Sequence, residues 1–181
     1  MTREVKVVTL VGNPKAGSRT LTVAQEVARQ IADRLAPDGI TVRTENFDLA
    51  ELGAALFDWE SAVVDKVLKT VQAADFLVVA SPTYKATYTG LLKLFLDRVP
   101  YDGLLGRIAL PVMVAAAPIH ALAVELHLRP LLVELGAACP TRGLFVLESQ
   151  LAELGPTIEK YLVNAMPVLA ASLRIQAREK A

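Results

Sequence analysis

Hydrophobic residues along this 181-residue chain follow two spacings in turn, and their alternation predicts five strand–helix units. Apolar runs and one alternating segment predict strands over residues 5–11, 40–47, 76–80, 108–116 and 143–147. Apolar positions three or four apart predict helices over residues 21–35, 61–74, 89–99, 120–135 and 155–177. Pro111 is expected as an irregularity in its strand, Pro130 as an interruption and Pro167 in the middle of the last helix. The pattern predicts an α/β fold, a five-stranded parallel sheet with helices on both faces, as one domain over residues 1–181.

A parallel sheet of this kind binds ligands beyond the carboxyl ends of its strands, where the strand order reverses. Three loops follow predicted buried strands at that edge, over residues 12–20, 81–88 and 115–120. We therefore expect the functional site at these loops.

The first loop joins a buried strand to a helix that begins with Ser18, Arg19 and Thr20. Backbone N–H groups in the first turn of a helix lack partners and attract anions. The loop has too few spaced glycines for the dinucleotide fingerprint, and Gly17 is followed by Ser18 rather than by the lysine of a triphosphate-binding loop. Hydroxyls at Ser18 and Thr20 and the amide of Asn13 suit a single phosphate monoester. A plain turn in which Ser18 only caps the helix is the alternative.

The composition narrows the classes of function. Apolar residues make up 53% of the chain, and 19 basic residues balance 19 acidic ones. This balance provides no basic surface for nucleic acid, and no apolar run reaches the roughly 20 residues of a membrane span. One cysteine, Cys139, and two histidines offer no metal site and no intrachain disulfide. We expect a soluble, cytoplasmic protein that binds neither nucleic acid nor membrane.

The second loop suits a flat heteroaromatic ring. It reads Ser81-Pro82-Thr83-Tyr84-Lys85-Ala86-Thr87-Tyr88-Thr89-Gly90. Pro82 fixes the turn, and backbone N–H groups from Thr83 to Lys85 are placed to reach the ring edge. Lys85 can stabilise negative charge on a reduced ring. In the alternative interpretation the tyrosines pack against a second subunit and Lys85 is solvated.

These two loops carry a resemblance to a known family. Gly12-Asn13-Pro14 with Ser18-Arg19-Thr20, followed by the Pro-Thr-Tyr-Lys loop, resembles the NADPH-dependent FMN reductases of flavodoxin-like fold. Segments 104–111 (LLGRIALP) and 120–130 (HALAVELHLRP) are similar to the branch that supplies reduced FMN to alkanesulfonate monooxygenases. The resemblance covers most of residues 5–147 and implies the strand order 2-1-3-4-5.

The resemblance implies binding residues at matching positions. The FMN phosphate is then bound by Asn13, Ser18, Arg19 and Thr20, and the ring lies against Pro82, Thr83, Tyr84 and Lys85. The third loop approaches the ring in this family with a glycine pair, whereas this chain has Ala115 and Ala116 there. The added methyl groups are expected to crowd the ring and weaken flavin retention.

The same branch carries an inserted residue in the helix after the third loop, which produces a π-bulge close to the flavin. In this chain the candidate is His127, next to Leu126. A π-bulge frequently marks a functional site, so His127 is a candidate residue for flavin transfer. A surface histidine on an ordinary α-helix is the alternative.

The resemblance implies hydride transfer from NADPH or NADH to FMN, and delivery of reduced FMN to a flavin-dependent monooxygenase. One alternative is a quinone, azo-dye or chromate reductase with tightly bound FMN. A second is a flavodoxin-like electron carrier, which the balanced charge disfavours. Apolar helix faces near residues 91–96 and 122–132 predict self-association, and the resemblance implies a homodimer or homotetramer.

Overall fold

A five-stranded parallel sheet in the order β2-β1-β3-β4-β5 forms the centre of the molecule. The structure, a computed structural model, describes residues 3–179, and side chains over residues 4–37 and 39–173. The strands are β1 (Arg3–Val11), β2 (Ile40–Asp48), β3 (Phe76–Pro82), β4 (Ile108–Ala115) and β5 (Leu144–Leu147). This sheet confirms the predicted fold class and strand order.

The α-helices flank the sheet on both faces. They are α1 (Arg19–Leu35), α2 (Ala62–Gln72), α3 (Gly90–Leu96), α4 (Arg129–Glu134) and α5 (Leu154–Glu179). Alternate residues of each strand divide between the two faces. Thus Phe76, Val78 and Ala80 pack with α1 and α5. Leu77 and Val79 pack with the helices of the opposite face.

Two segments differ in detail from the prediction. The segment after β2, for which the hydrophobic pattern predicts no helix or strand, is a 3-10 helix over Leu49–Phe57, with non-helical backbone at Gly53. The strand β4 continues through Pro111 without interruption. The α-helix α5 is likewise continuous through Pro167, as expected.

The long helix predicted over residues 120–135 is the largest departure. It is divided into a 3-10 turn at Pro118–His120, a π-helix over Val124–Leu128 and α4. The apolar spacing that predicted one helix arises because Val124, Leu128 and Leu132 all face the core. Periodicity alone therefore did not locate the change of helical type.

Gly12 lets α3 approach the end of β1. A Cβ built on Gly12 would lie 2.3 Å from the Leu92 Cβ atom, closer than two carbon atoms can pack. The Gly12 N–H donates to the Ala80 carbonyl at 2.9 Å, which ties the start of the first loop to β3. A glycine is required here by close packing rather than by backbone conformation.

Replacing Gly12 with alanine should lower the free energy of unfolding by about 1–3 kcal/mol, because α3 must move away from the sheet. Gly90→Ala is the matched control, since a Cβ at Gly90 meets no atom within 4 Å. Urea denaturation followed by circular dichroism measures both variants. Equal stability of Gly12→Ala and the parent protein would contradict the packing argument.

Candidate functional site

The carboxyl ends of β1 and β3 form the point at which the strand order reverses. β1 pairs with β2 on one side and with β3 on the other. The chain leaves β1 towards one edge of the sheet and later returns on its other side, so the loops after β1 and β3 diverge above the sheet. Such a crevice is where open α/β sheets bind ligands.

The first loop is held by its own polar side chains. Asn13 Nδ2 donates to Thr20 Oγ1 at 3.1 Å, and Asn13 Oδ1 accepts from the Lys15 N–H at 2.9 Å. Ser18 is the N-cap of α1, and its Oγ accepts from the Leu21 N–H at 3.3 Å. Asn13, Ser18 and Thr20 are all buried. The hydrogen bonds of these side chains therefore fix the backbone of the loop.

This arrangement leaves donors for an anion. Thr20 Oγ1 accepts from Asn13, so its own proton is available to another acceptor. The N–H groups of Arg19 and Thr20 lie in the first turn of α1 and have no acceptor within the helix. Ser18 therefore does cap the helix, as the alternative interpretation expected. This role does not exclude anion binding by the same loop.

Thr89 joins the first loop to the second. Its hydroxyl donates to the Gly12 carbonyl and accepts from the Leu92 N–H at 3.1 Å, as the N-cap of α3. Its N–H donates to Ser81 Oγ at 3.0 Å. Thr89 is 3% exposed, so these bonds are shielded from water. The predicted phosphate loop and the predicted ring loop are thus fixed relative to each other.

A tight turn forms the tip of the second loop. The N–H of Tyr84 donates to the Thr87 carbonyl at 2.8 Å, and the N–H of Thr87 donates back at 3.2 Å. The two residues between them, Lys85 and Ala86, have φ angles of 53° and 67°. Two successive positive φ angles are typical of a type I′ turn, which normally takes Asn or Gly. For Lys and Ala the left-handed region costs about 1–2 kcal/mol per residue, and such strain clusters at functional sites.

Two of the three N–H groups of the second loop that were expected to reach a ring already have acceptors in the protein. The Thr83 N–H donates to the Val114 carbonyl at 2.7 Å, and the Tyr84 N–H is engaged within the turn. Of the three groups expected to reach a ring edge, this leaves the Lys85 N–H.

The hydroxyl oxygen of Thr83 is buried and has no hydrogen-bond partner among the described residues. A buried polar atom without a partner is costly, and a bound ligand is one way to satisfy it.

The third loop begins at the end of β4. Ala115 is the last residue of β4 and is 3% exposed, whereas Ala116 is exposed. Ala115 pairs with Leu147 of β5. The loop therefore borders the crevice at the edge predicted from the sequence.

The π-helix predicted as one of two alternatives is present. It spans Val124–Leu128 and exposes Leu126 and His127 to solvent. Glu125 fixes it to the segment before β5, because its Oε1 accepts from the Gly143 N–H at 2.5 Å and its Oε2 accepts from Arg129 Nε at 2.6 Å. The ordinary-helix alternative for His127 is therefore wrong.

Two carboxylates that the sequence analysis did not single out contact the first loop. Asp48, at the end of β2, accepts from the Gly17 N–H at 3.0 Å and is 6% exposed. Glu148, just after β5, forms an ion pair of 2.9 Å with Arg19. Both follow predicted strands at the binding edge, which is the only signal that could have indicated them.

Other reactive groups lie away from the crevice. Burial raises the pKa of the Cys139 thiol to about 11, so the thiol stays protonated at neutral pH. Over residues 3–179 no three His, Cys, Asp or Glu side chains are grouped as a metal site would require. No helix in the same range is long and apolar enough to cross a membrane.

Comparison with known proteins identifies the family. A family model described as NADPH-dependent FMN reductase matches residues 5–152. The chain belongs to the NADPH-dependent FMN reductase family. Among curated relatives, "FMN reductase (NADPH)" of Escherichia coli K12 is 35% identical over 82% of this chain and 76% of the relative. "NADH-dependent FMN reductase SfnF" of Pseudomonas fluorescens Pf0-1 is 31% identical over 100% and 92%.

Solved structures agree with the family assignment. The apo form of an NADH:FMN oxidoreductase, EMOB, superposes with a TM-score of 0.76 and 28% identity, covering 88% of this chain and 89% of that one. An oxidoreductase from Corynebacterium diphtheriae superposes with a TM-score of 0.81 and 25% identity over the whole of both chains. The protein is accordingly an NAD(P)H-dependent FMN reductase with a flavodoxin-like fold.

The residues at the crevice fit FMN. The first loop offers uncharged donors and helix N–H groups, which suit a phosphate monoester. The second loop offers the Lys85 N–H and the unsatisfied Thr83 hydroxyl, which suit the polar edge of a ring. Thr89 holds the two loops in one arrangement.

Proposed function

We propose that this reductase takes FMN as a substrate, reduces it with NADPH or NADH, and releases reduced FMN to a flavin-dependent monooxygenase. One observation supports this proposal above the others. The hydrogen bond from Thr89 to the Gly12 carbonyl holds the hydroxyl-lined phosphate loop beside the exposed ring loop. The ring loop is open to solvent, since Tyr84 is 51% exposed, which favours exchange of the flavin over permanent retention.

The proposed phosphate site consists of Asn13, Ser18, Arg19 and Thr20. Asn13 orients the Thr20 hydroxyl through their 3.1 Å hydrogen bond, so the donor does not need to be reorganised when the phosphate binds. The N–H groups at the start of α1 add the positive end of the helix dipole.

The proposed ring site lies along the second and third loops. Pro82, Thr83 and Tyr84 would flank the ring on one side, and Ala115 and Ala116 would border it on the other. The two alanine methyl groups limit how closely the third loop approaches the ring. We infer that this crowding favours release over tight retention.

Lys85 is the proposed catalytic cation. Bound FMN supplies the redox chemistry, because its ring takes up the hydride from the nicotinamide. Lys85 sits at the tip of the strained turn with its side chain exposed and has no ion-pair partner among the described residues. Its charge would stabilise negative charge on the reduced ring, and the turn fixes where that charge lies.

Purification tests whether FMN is a substrate or a permanently bound group. We expect a colourless protein after dialysis, with NAD(P)H oxidation that depends saturably on added FMN. Protein that stays yellow would overturn the release proposal and favour a bound-flavin reductase. That alternative has a distant precedent in an "FMN-dependent NADPH-azoreductase" of Staphylococcus haemolyticus, 31% identical over 51% of this chain.

Two substitutions should separate binding from chemistry. Thr20→Val removes a buried donor, so the Kd for FMN should rise about tenfold or more. Lys85→Gln should leave that Kd within about twofold and slow flavin reduction by NAD(P)H about tenfold. Fluorescence titration and anaerobic stopped-flow absorbance measure the two quantities.

Thr70→Val is the control for the first substitution, because Thr70 Oγ1 donates to a helical carbonyl on the distant α2. Lys69→Gln, also on α2, controls for the loss of a lysine charge. A Thr20→Val variant that binds FMN like the Thr70→Val variant would remove Thr20 from the phosphate site.

We further propose that the reductase works in the cytoplasm as a homodimer or homotetramer. Its exposed apolar side chains include a row along the segment that contains the π-helix, namely Ile119, Leu122, Leu126 and Val133. All four side chains are exposed on this one segment, and exposed apolar side chains grouped in this way mark a protein interface. His127 lies beside this row, so a second subunit would cover it close to the crevice, where it would govern flavin transfer.

Sedimentation velocity tests this interface. Leu126→Glu should reduce the assembly size, because it places a charge in an apolar contact. Val63→Glu is the control: Val63 is comparably exposed, at 61% against 63%, but lies on α2. The interface assignment fails when Leu126→Glu sediments like the parent protein.

A further inference from the structure

The ion pair between Arg19 and Glu148 joins the phosphate loop to the end of β5. Arg19 is the first residue of α1, directly after the capping Ser18. Its guanidinium lies 2.9 Å from Glu148 Oε1, and the two side chains are 66% and 37% exposed. The cation nearest in sequence to the phosphate-binding hydroxyls is therefore already engaged by a carboxylate.

Glu148 is positioned independently of Arg19. It is the first residue of the 3-10 helix Glu148–Glu153, where a negative charge is favoured by the helix dipole. The start of that helix is held by Gln150, whose Oε1 accepts from the Leu147 N–H at 2.8 Å. The carboxylate is thus supplied by a structured element and not by a loop that follows Arg19.

The charges at the first loop cancel. Lys15 and Arg19 are its cations, while Asp48 accepts from the Gly17 N–H and Glu148 pairs with Arg19. A loop with positive charge in excess would attract a phosphate dianion at long range. This one balances two positive charges with two negative ones.

We propose that Glu148 competes with the FMN phosphate for Arg19 and thereby keeps the affinity for FMN low enough for release. This inference rests on the proposed function, since it assigns a cause to flavin exchange at the same site. Arg19 exchanges one anionic partner for another when FMN binds, so its contribution to the affinity is the difference between the two interactions. Glu148 is in this sense a positioning residue and does not need to touch the flavin.

The effect should be modest because the pair is exposed. Solvent-exposed ion pairs correspond to about a one- to fivefold change in an equilibrium constant. Glu148→Gln keeps the shape of the side chain and removes its charge. We expect it to lower the Kd for FMN about two- to fivefold, and to do so less at high ionic strength, where exposed charges are screened.

A double-mutant cycle with two ligands tests the proposal. The Kd values of FMN and riboflavin are measured by fluorescence titration for the parent protein, Glu148→Gln, Arg19→Gln and the double variant. Arg19→Gln should weaken FMN binding, and Glu148→Gln should have no effect in the Arg19→Gln background. Riboflavin lacks the phosphate, so its Kd should not respond to Glu148→Gln.

Asp33→Asn is the matched control. Asp33 forms an exposed ion pair with Arg29 on the same helix. It lies 14 positions after Arg19, about 21 Å along the helix axis. The Asp33→Asn substitution changes the net charge as Glu148→Gln does, but it should leave the Kd for FMN unchanged.

The outcomes separate this inference from the proposed function. Unchanged FMN affinity in Glu148→Gln overturns the competition, as does tightening that persists without Arg19 or that appears equally for riboflavin. Absence of FMN binding in every variant, the parent protein included, would instead overturn the proposed function itself.

Discussion

The site depends on one buried hydroxyl, that of Thr89. It donates to the carbonyl at Gly12, caps α3 through the Leu92 N–H, and is held in turn by Ser81. This contact joins residues that are 77 positions apart in sequence, so the two loops form one surface. Gly12 completes the arrangement because it has no Cβ to separate α3 from the sheet. Together with the bond from the Gly12 N–H to the Ala80 carbonyl, this connection fixes the spacing between the proposed phosphate-binding loop and the proposed ring-binding loop.

The fold and the edge of the sheet that carries the candidate site could be predicted from the sequence because both follow from local patterns. Apolar runs located the strands, and the rule for parallel sheets placed the loops after β1, β3 and β4 at one edge. Asn13, Ser18 and Thr20 were singled out because hydroxyl and amide donors at the start of a helix suit a phosphate. The resemblance to FMN reductases added the expected ligand, and the comparisons bear out the family.

The contacts that adjust the site could not be predicted in this way. Asp48 and Glu148 reach the first loop from β2 and β5, and no local pattern relates them to Gly17 or Arg19. Nor does sequence indicate that the Thr83 N–H is already used by the Val114 carbonyl. Such facts depend on which groups the folded chain brings within hydrogen-bond distance, so they follow from the register of the sheet and not from composition.

The π-helix has a consequence for how this family can change. Val124, Leu128 and Leu132 face the core at intervals of four, while Leu126 and His127, within the first interval, point outward. Removing one outward residue from Val124–Leu128 would shorten the first interval to three, which an ordinary α-helix also buries on one face. The core would therefore tolerate either length, and a single-codon deletion or insertion would rebuild the solvent-facing surface of this segment without requiring a new fold.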